Sequence, residues 1–490
     1  MSFNSVSFLI FLPIVLLLYW VLPARFRWIM LLIASYLFYM SWNFWLIFLI
    51  LFTTGVSYLS GIFMEKYRDS VRIRKTLLIV TLICCLGTLF FFKYFTFAVN
   101  LVIDGLNLFN LNLSQFTFSL LLPVGISFYT FQTLSYVIDV YRGRISAERH
   151  LGYYALFVVY FPQLVAGPIE RPDNLIPQLK QEQKFNSSDF CTGLRIAAVG
   201  FFKKVVIADG VAVFVNAVYN NVAAANGITA ILATVLFAVQ IYCDFSGYTD
   251  IAIGVARMMG IKLKDNFNQP YLAVSIKDFW RRWHISLTTW FTDYVYIPLG
   301  GNRCKLWRWA INVMIVFLLS GLWHGAALTF VIWGAIHGVY QIVGRLKGLG
   351  LKKVEEKTGF AIPNDNLAVN FIRRTITFAL VCFAWIFFRG NSLTDCGTII
   401  AKIFSDWSNT GSALKVMGIT VQTVLEFVLL GGILALLHKV IHYDASKQSL
   451  VGGAAVSRKV LYAYLILAIA VAWIALAVSG EQSVFIYFQF

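Results

Sequence analysis

The sequence predicts an all-α, polytopic membrane protein, and three observations lead to this fold class. Of the 490 residues, 59% are hydrophobic and 13% are charged, whereas about a quarter of the residues of soluble domains are charged. The mean hydropathy is +0.74. Long runs without Asp, Glu, Lys or Arg recur along the chain. This composition excludes a soluble enzyme and a disordered binding protein.

Runs without a formal charge predict the membrane-spanning helices in order. About 20 apolar residues cross a bilayer core, and several runs are long enough for a helix and its return, so we expect about 12 spans. The long charge-free runs are 1–24, 28–64, 76–92, 105–138, 210–243, 309–344 and 460–480, and shorter apolar runs lie at 150–169, 190–202, 375–388 and 427–437.

The basic residues predict the orientation of the spans. The formal net charge is +17, and such an excess normally lies in cytoplasmic loops, which makes nucleic-acid binding the weaker explanation. The first run lacks the basic start of a secretory signal and is followed by Arg25 and Arg27, so we expect an uncleaved span with its N-terminus outside. Basic and neutral loops then alternate, which predicts both termini outside.

Two segments, about 150–170 and 275–300, are left over on the cytoplasmic side. The first contains Pro162, Gly167 and Pro168, and we expect a re-entrant segment there, because freed backbone groups at membrane depth need cover from protein or water. We find no internal repeat or linker, so we expect one membrane domain over residues 1–490. The seven cysteines form no C-x-x-C pair, which argues against a disulfide framework or a metal site.

Histidines in apolar sequence are functional candidates, because ionisable groups at membrane depth are costly. His324 lies in the charge-free run 309–344. As a neutral imidazole it could accept a proton from a hydroxyl. Alternatively, it is a structural histidine on a helix-packing face that contains Gly321 and Gly325. For His337, beside a second G-x-x-x-G, we favour the structural interpretation.

The segment 275–303 predicts an amphipathic helix rich in tryptophan. It suits an interfacial helix with Trp at headgroup level. Alternatively, Arg281, Arg282 and nearby basic residues such as Arg303 gather a polyanionic cytosolic ligand, with His284 at the mouth of its channel. One predicted face holds Trp280, Trp283, His284, Leu287, Trp290 and Phe291, and another holds Lys277, Arg281 and Thr288.

A third group of polar residues interrupts an apolar helix. Its two carboxylates, Asp244 and Asp250, need partners at membrane depth, and Arg257 or Arg282 could supply them. We favour architecture slightly over chemistry here. The group consists of Gln240, Asp244, Ser246, Tyr248, Thr249 and Asp250. No Gly-rich phosphate loop, H-E-x-x-H or G-x-S-x-G offers a competing catalytic site.

Several motifs together resemble the membrane-bound O-acyltransferase (MBOAT) family. They are similar to the branch that contains the membrane protein of alginate O-acetylation, and the resemblance is densest over 240–345. The motifs are FPQLVAGPIERP, CDFSGYTDIAIGVARMMG, NFNQPYLAVSIKDFWRRWHISLTTWFTDYVYIPLGGNR, SGLWHGAALTFVIWGAIHG and the terminal FIYFQF.

The resemblance implies a tunnel through a ring of helices, with a catalytic core at about 240–345. An acyl thioester enters from the cytoplasm and the acceptor approaches from the other side. His324 matches the residue usually treated as catalytic, and His284 matches one that assists or lies on the donor side. We expect donor-positioning roles for Trp280, Arg281, Arg282, Trp283, Asn266 and Arg303, and a polar cluster in the tunnel formed by Asp244, Ser246, Tyr248 and Asp250.

The expected activity is acetyl transfer from a thioester substrate, acetyl-CoA, to an extracytoplasmic glycan, with no metal or permanently bound cofactor. The resemblance implies a bacterial inner-membrane location and a secreted SGNH-like acetyltransferase as partner, although direct transfer to the glycan stays open. The nearest rival is D-alanyl transfer to teichoic acid, against which the ending IPLGGNR at 297–303 argues. A polysaccharide transporter with Asp244, Asp250 and His324 as a relay, and a non-catalytic scaffold, are further alternatives.

Overall fold

The computed structural model describes residues 1–118, 123–165, 167–358 and 366–418, together with Leu425 and Gly432. Regular structure in this part of the chain is helical, which confirms the predicted all-α class. The chain forms two compact units. The predicted span 460–480, most of the run 427–437 and the terminal FIYFQF lie outside the described residues, and the single domain over 1–490 stays a prediction.

The first unit contains Met1–Ala197 and Ile251–Lys264. Its helices are α1 (Val6–Val21), α2 (Ala24–Met40), α3 (Ile47–Lys66), α4 (Val71–Leu89), α5 (Phe95–Asn107), α6 (Ile126–Tyr141), α7 (Leu151–Val159), α8 (Phe161–Leu164), α9 (Pro172–Lys180) and the part of α10 (Ser187–Phe201) that ends at Ala197. α4 continues into α5 through a π-helical turn.

Small and hydroxyl residues of α3 let its neighbours approach closely. The Tyr154 hydroxyl donates to Ser57 Oγ (2.6 Å), and Ser60 and Thr81 share a hydrogen bond of 2.5 Å. At Gly61 an added Cβ would meet the ring of Tyr136. These contacts are those expected inside a membrane, where small residues and interhelical hydrogen bonds hold helices together because apolar burial gives no driving force.

The segment predicted to be re-entrant is broken. α7 ends at Val159 and α8 begins at Phe161, and together they are shorter than the about 20 residues that a span needs. Tyr160 between them has a ψ of 108°, and its side chain is fully buried. A re-entrant segment needs an interrupted helix whose backbone is buried in protein, and this segment has that form. Its depth in the membrane stays a prediction.

The second unit contains Ala198–Asp250 and the described residues from Asp265 onward. Its helices are α11 (Asp209–Tyr219), α12 (Gly227–Met258, up to Asp250), α13 (Ile276–Arg282), α14 (Ile285–Phe291), α15 (Leu306–His324), α16 (Leu328–Thr358), α17 (Leu367–Arg389), α18 (Leu393–Ser405) and α19 (Thr410–Val416), and a π-helical turn, Phe202–Ala208, precedes α11.

Five helical stretches of the described residues are long and apolar enough to cross a membrane, which supports a multi-pass membrane protein. The sequence predicts about 12 spans. Some predicted spans form shorter helices, such as α1, and another lies outside the described residues. The five stretches are Phe44–Lys66, Val71–Asn107, Gly227–Met258, Leu306–His324 and Leu367–Arg389.

Glycines bring the backbones of α15 and α16 into contact. A Cβ added at Gly321 would meet the carbonyl of Phe330, and one at Gly334 would meet the carbonyl of Phe317. The two glycine Cα atoms also face each other across this contact. The predicted helix-packing face is therefore present, and it sets the position of the end of α15.

We expect the substitution Gly334→Ala to lower the free energy of unfolding by about 1–3 kcal/mol, because the new methyl group must push the α15 backbone away. The residual monodisperse protein after heating in detergent measures the change. Gly350→Ala on the same helix is the control, since an added Cβ has nothing within 4 Å there. Equal heat resistance of the two variants would contradict this account of the contact.

Candidate active site

The aromatic segment after residue 275 is two short helices. α13 ends at Arg282 and α14 begins at Ile285, while His284 between them has φ 44° and ψ 54°, in the left-handed region. The prediction of one continuous amphipathic helix is therefore wrong. A non-glycine residue in this conformation costs about 1–3 kcal/mol and persists when its surroundings hold it.

Asn266 accepts the hydrogen bonds of backbone groups that have no partner within a helix at this break. Its backbone carbonyl accepts from the N–H of Ile285 (2.9 Å), and its side-chain Oδ1 accepts from the N–H and the hydroxyl of Ser286 (3.1 and 2.9 Å). The same Oδ1 lies 3.2 Å from Nδ1 of His284. The structure thus places Asn266, expected on the donor side, directly against His284.

His284 is fully buried and uncharged. Its ring lies 4.7 Å from the ring of Phe245 on α12 and 5.7 Å from that of Trp323 on α15, measured between centroids. Burial lowers the pKa of His284 to about 3. At neutral pH the ring is therefore a neutral imidazole, with one N–H and one lone pair.

His324 is the last residue of α15, and its side chain is 2% exposed. The rings of Trp333 and Phe388 lie 5.0 and 5.2 Å from its ring, and that of His284 lies 6.4 Å away. The two histidines that the family resemblance pairs therefore lie together in one buried aromatic environment.

His337 is bound differently. It is fully buried, and its Nδ1 accepts a hydrogen bond from the indole N–H of Trp280 (3.2 Å). The ring of Phe279 stacks on it at 6.2 Å. These contacts fit the structural role favoured from the sequence.

A cavity of about 750 Å³ lies among α13, α14, α15 and α16. Three cations line it, Lys277, Arg281 and Arg345, and apolar side chains such as Phe317 line it elsewhere. Ser320 also lines it, one helical turn before His324 on α15. The cavity therefore combines cationic and apolar lining residues, of which Ser320 lies one turn from His324 on the same helix, while His284, His324 and Asn266 are not part of the lining.

The other predicted donor residues divide into two groups. Trp280 and Arg281 line the cavity. Arg282 is in an ion pair with Asp278 (3.0 Å), and Trp283 is fully buried, stacked on Phe279. Arg303 is exposed in the loop before α15 and is not part of the cavity lining.

Among the lining residues that were not assigned to the site from the sequence, three bear on its chemistry. Lys277 had a local signal, because it lies one helical turn before Arg281 on α13 and both line the cavity. Ser320 lies four residues before His324, at the spacing that places two side chains on one helix face. Arg345 has no local signal, since it comes from a distant helix.

The predicted polar cluster is an ion-pair network. Lys203 Nζ lies 2.6 Å from Asp250 Oδ2, and Lys204 Nζ lies 2.7 Å from both Asp244 Oδ1 and Asp209 Oδ1. Lys204 is 1% exposed. Tyr248 places its ring 5.6 Å from the same ammonium group. These contacts support the architectural interpretation, and Ser246 is buried on the same helix.

The prediction that Arg257 or Arg282 pairs with Asp244 and Asp250 is wrong. Arg257 pairs with Asp189 (3.0 Å), and Arg282 pairs with Asp278 on its own helix. The lysine pair 203–204 follows an apolar run in the sequence, and two adjacent cations at that place were the signal for the partners.

The helical multi-pass fold, with its buried histidine pair beside a cation-lined cavity, has the features of a membrane group-transfer enzyme. Residues 145–384 match the model of the membrane-bound O-acyltransferase family, MBOAT. Together with the relatives described next, this match shows that the chain belongs to that family and is an acyltransferase.

Named relatives cover most of the chain. "Probable alginate O-acetylase AlgI" of Pseudomonas aeruginosa is 40% identical over 408 residues, which are 83% of this chain and 75% of the relative. "Peptidoglycan O-acetyltransferase" of Helicobacter pylori is 36% identical, over 80% of this chain and 77% of the relative. "Teichoic acid D-alanyltransferase" of Bacillus subtilis is 32% identical, over 54% of this chain and 68% of the relative.

Proposed function

We propose that this acyltransferase passes an acetyl group from cytoplasmic acetyl-CoA across the membrane to an extracytoplasmic glycan. The observation that carries the proposal is the cation-lined cavity, whose lining residue Ser320 lies one helical turn before His324 of the buried histidine pair. The relatives named for alginate and peptidoglycan acetylation, at 40% and 36% identity, favour acetyl over D-alanyl transfer, whose named relative is 32% identical over a shorter part of the chain.

The donor phosphates bind Lys277, Arg281 and Arg345, because guanidinium and ammonium groups form strong charge-assisted hydrogen bonds with phosphate oxygens. The pantetheine arm follows the apolar wall past Phe317 toward Ser320. The thioester carbon then lies near His324. CoA is too highly charged to cross the bilayer, so the acetyl group alone passes through the protein.

His324, as the neutral imidazole, accepts the proton of the acceptor hydroxyl. The hydroxyl oxygen forms a bond to the thioester carbonyl carbon, and a tetrahedral intermediate results. Its collapse breaks the C–S bond, and the leaving thiolate takes the proton back from the imidazolium. The products are an acetyl ester and free CoA thiol. The rings of Trp333 and Phe388 limit the access of water, which would otherwise hydrolyse the thioester.

The acceptor hydroxyl belongs to a serine of a secreted SGNH-like acetyltransferase, which then acetylates the glycan, or to the glycan itself.

We propose that the protein lies in a bacterial cytoplasmic membrane and crosses it about 12 times with both termini outside, because basic and neutral loops alternate along the sequence. With this orientation the basic residues of the cavity face the compartment that contains acetyl-CoA.

Purified protein in proteoliposomes tests the function. Acetyl-CoA labelled in the acetyl group is supplied on one side, and alginate oligosaccharides or muropeptides, with the secreted acetyltransferase where one is known, on the other. We expect ester-linked label on the acceptor side together with free CoA on the donor side. Movement of glycan without thioester consumption would instead support a transporter.

In the same assay we expect Arg281→Ala to raise KM for acetyl-CoA about 10- to 100-fold and to leave kcat unchanged, because one charge-assisted hydrogen bond to phosphate contributes about 1.5–3 kcal/mol. Arg374→Ala removes an exposed cation of α17 that is not in the cavity lining and is the matched control. An equal KM for Arg281→Ala and wild type would place the donor elsewhere.

A further inference from the structure

The side chain of Asn266 determines which nitrogen of His284 carries the proton. An amide has an oxygen that accepts and a nitrogen that donates, and the two are told apart by their partners. The atom that faces His284 also faces the backbone N–H of Ser286 at 3.1 Å, and a backbone N–H can only donate. That atom is therefore the oxygen.

An oxygen acceptor at 3.2 Å requires a hydrogen on Nδ1 of His284. The ring is uncharged at neutral pH, so it has a single N–H, and the lone pair lies on Nε2. In this tautomer Nε2 has no hydrogen to donate to a thioester carbonyl or to the oxyanion that forms from it. His284 can therefore serve as a hydrogen-bond acceptor and not as an oxyanion donor.

The distance to His324 suits such an acceptor. Ring nitrogens lie about 1 Å from the ring centre and hydrogen bonds join heavy atoms about 3 Å apart, so directly bonded imidazoles have centroids about 5 Å apart. The observed 6.4 Å exceeds this and is within reach of one bridging oxygen atom. The ring of His284 is faced by Phe245 of α12, by Asn266 and by Trp323 and His324 of α15, and of these four His324 is titratable.

We propose that Asn266 is a positioning residue that holds His284 in the Nδ1–H tautomer, so that Nε2 accepts a hydrogen bond from His324 through one bridging oxygen. The chain Asn266, His284, His324 then orients the base and stabilises its protonated form, in the way that a third group orients the base of a catalytic triad. This inference rests on the proposed role of His324 as the base.

The tautomer can be observed without an activity assay. In wild-type protein labelled with ¹⁵N-histidine, the two-bond nitrogen–proton spectrum distinguishes a protonated from an unprotonated ring nitrogen, and the signals missing from His284→Gln assign the residue. We expect a protonated Nδ1 and an unprotonated Nε2. A proton on Nε2 overturns the proposal while leaving the proposed acetyl transfer intact.

Kinetics supply the second measurement. We expect Asn266→Ala to lower kcat about 10- to 100-fold, by analogy with the loss of a group that orients a metal-bound imidazole, with KM for acetyl-CoA unchanged. Asn266→Asp keeps the acceptor but adds a negative charge, which raises the pKa of His284 and gives kcat a new acid limb, since protonated His284 cannot accept.

The control is Asn312→Ala. Asn312 is equally buried, and its amide donates to the carbonyls of Leu299 and Gly301, so its removal tests the structural effect of losing a buried amide. We expect lower heat resistance and an unchanged pH profile of kcat. Wild-type kcat in Asn266→Ala overturns the proposal, whereas full activity of His324→Ala overturns the proposed function itself.

Discussion

Replacing His324 with alanine is expected to lower the rate of acetyl transfer about 10²–10⁴-fold, the range for loss of a positioned general base. The imidazole is 2% exposed, so bulk water does not readily replace it as a proton acceptor. In the proposed mechanism the donor phosphates bind Lys277, Arg281 and Arg345 and not His324, and we therefore expect KM for acetyl-CoA to change little. Release of CoA thiol and formation of the acetyl ester measure the loss together.

The matched control is His337→Gln, which changes a second buried histidine of the same unit. His337 accepts a hydrogen bond from Trp280 and has no place in the proposed chemistry. We expect it to lose heat resistance and to keep its turnover at a permissive temperature. Wild-type turnover by folded His324→Ala protein would refute the assignment of the base.

The substitution Lys204→Met is expected to destabilise the protein by about 3–5 kcal/mol, the usual effect of removing one partner from a buried ion pair. Lys204 is 1% exposed and lies 2.7 Å from Asp244, which is 4% exposed, and also from Asp209. Without the ammonium group, the carboxylates of Asp244 and Asp209 lie close together, near apolar side chains, with no cation between them. Thermal unfolding in detergent and the yield of monodisperse protein measure the effect.

The substitution Lys203→Met gives a comparison in which a more exposed ion pair is broken. Its partner Asp250 is 26% exposed, so solvent compensates part of the lost pair and we expect a smaller effect. Adding Asp244→Asn and Asp209→Asn to Lys204→Met should recover most of the stability, because the uncompensated charges are removed together. Unfolding of Lys204→Met at the wild-type temperature would show that the network contributes nothing to stability.

The sequence predicts the all-helical, multi-pass class because the bilayer demands long apolar stretches and leaves few other solutions, while the number of spans stays a prediction. It also singles out His324, since an ionisable group in an apolar run is unusual, whereas the pairing of His324 with His284 came from the family resemblance. The break at His284 was not predictable, because the bonds that favour it come from Asn266, 18 residues earlier in the chain. Arg345 was missed for a similar reason: it meets Arg281 at the cavity only through the packing of two helices.

The glycine contact between α15 and α16 also decides which wall of the cavity can move. Where the two backbones are in direct contact, no layer of side chains lies between them that could repack. We therefore expect the α15–α16 hairpin to behave as one rigid body, with His324 at the end of α15. α13 and α14 are short and joined at a residue with unusual backbone angles, which is where hinges occur. If the proposed donor enters this cavity, we therefore expect the movement that admits it on the α13–α14 side rather than in the α15–α16 hairpin.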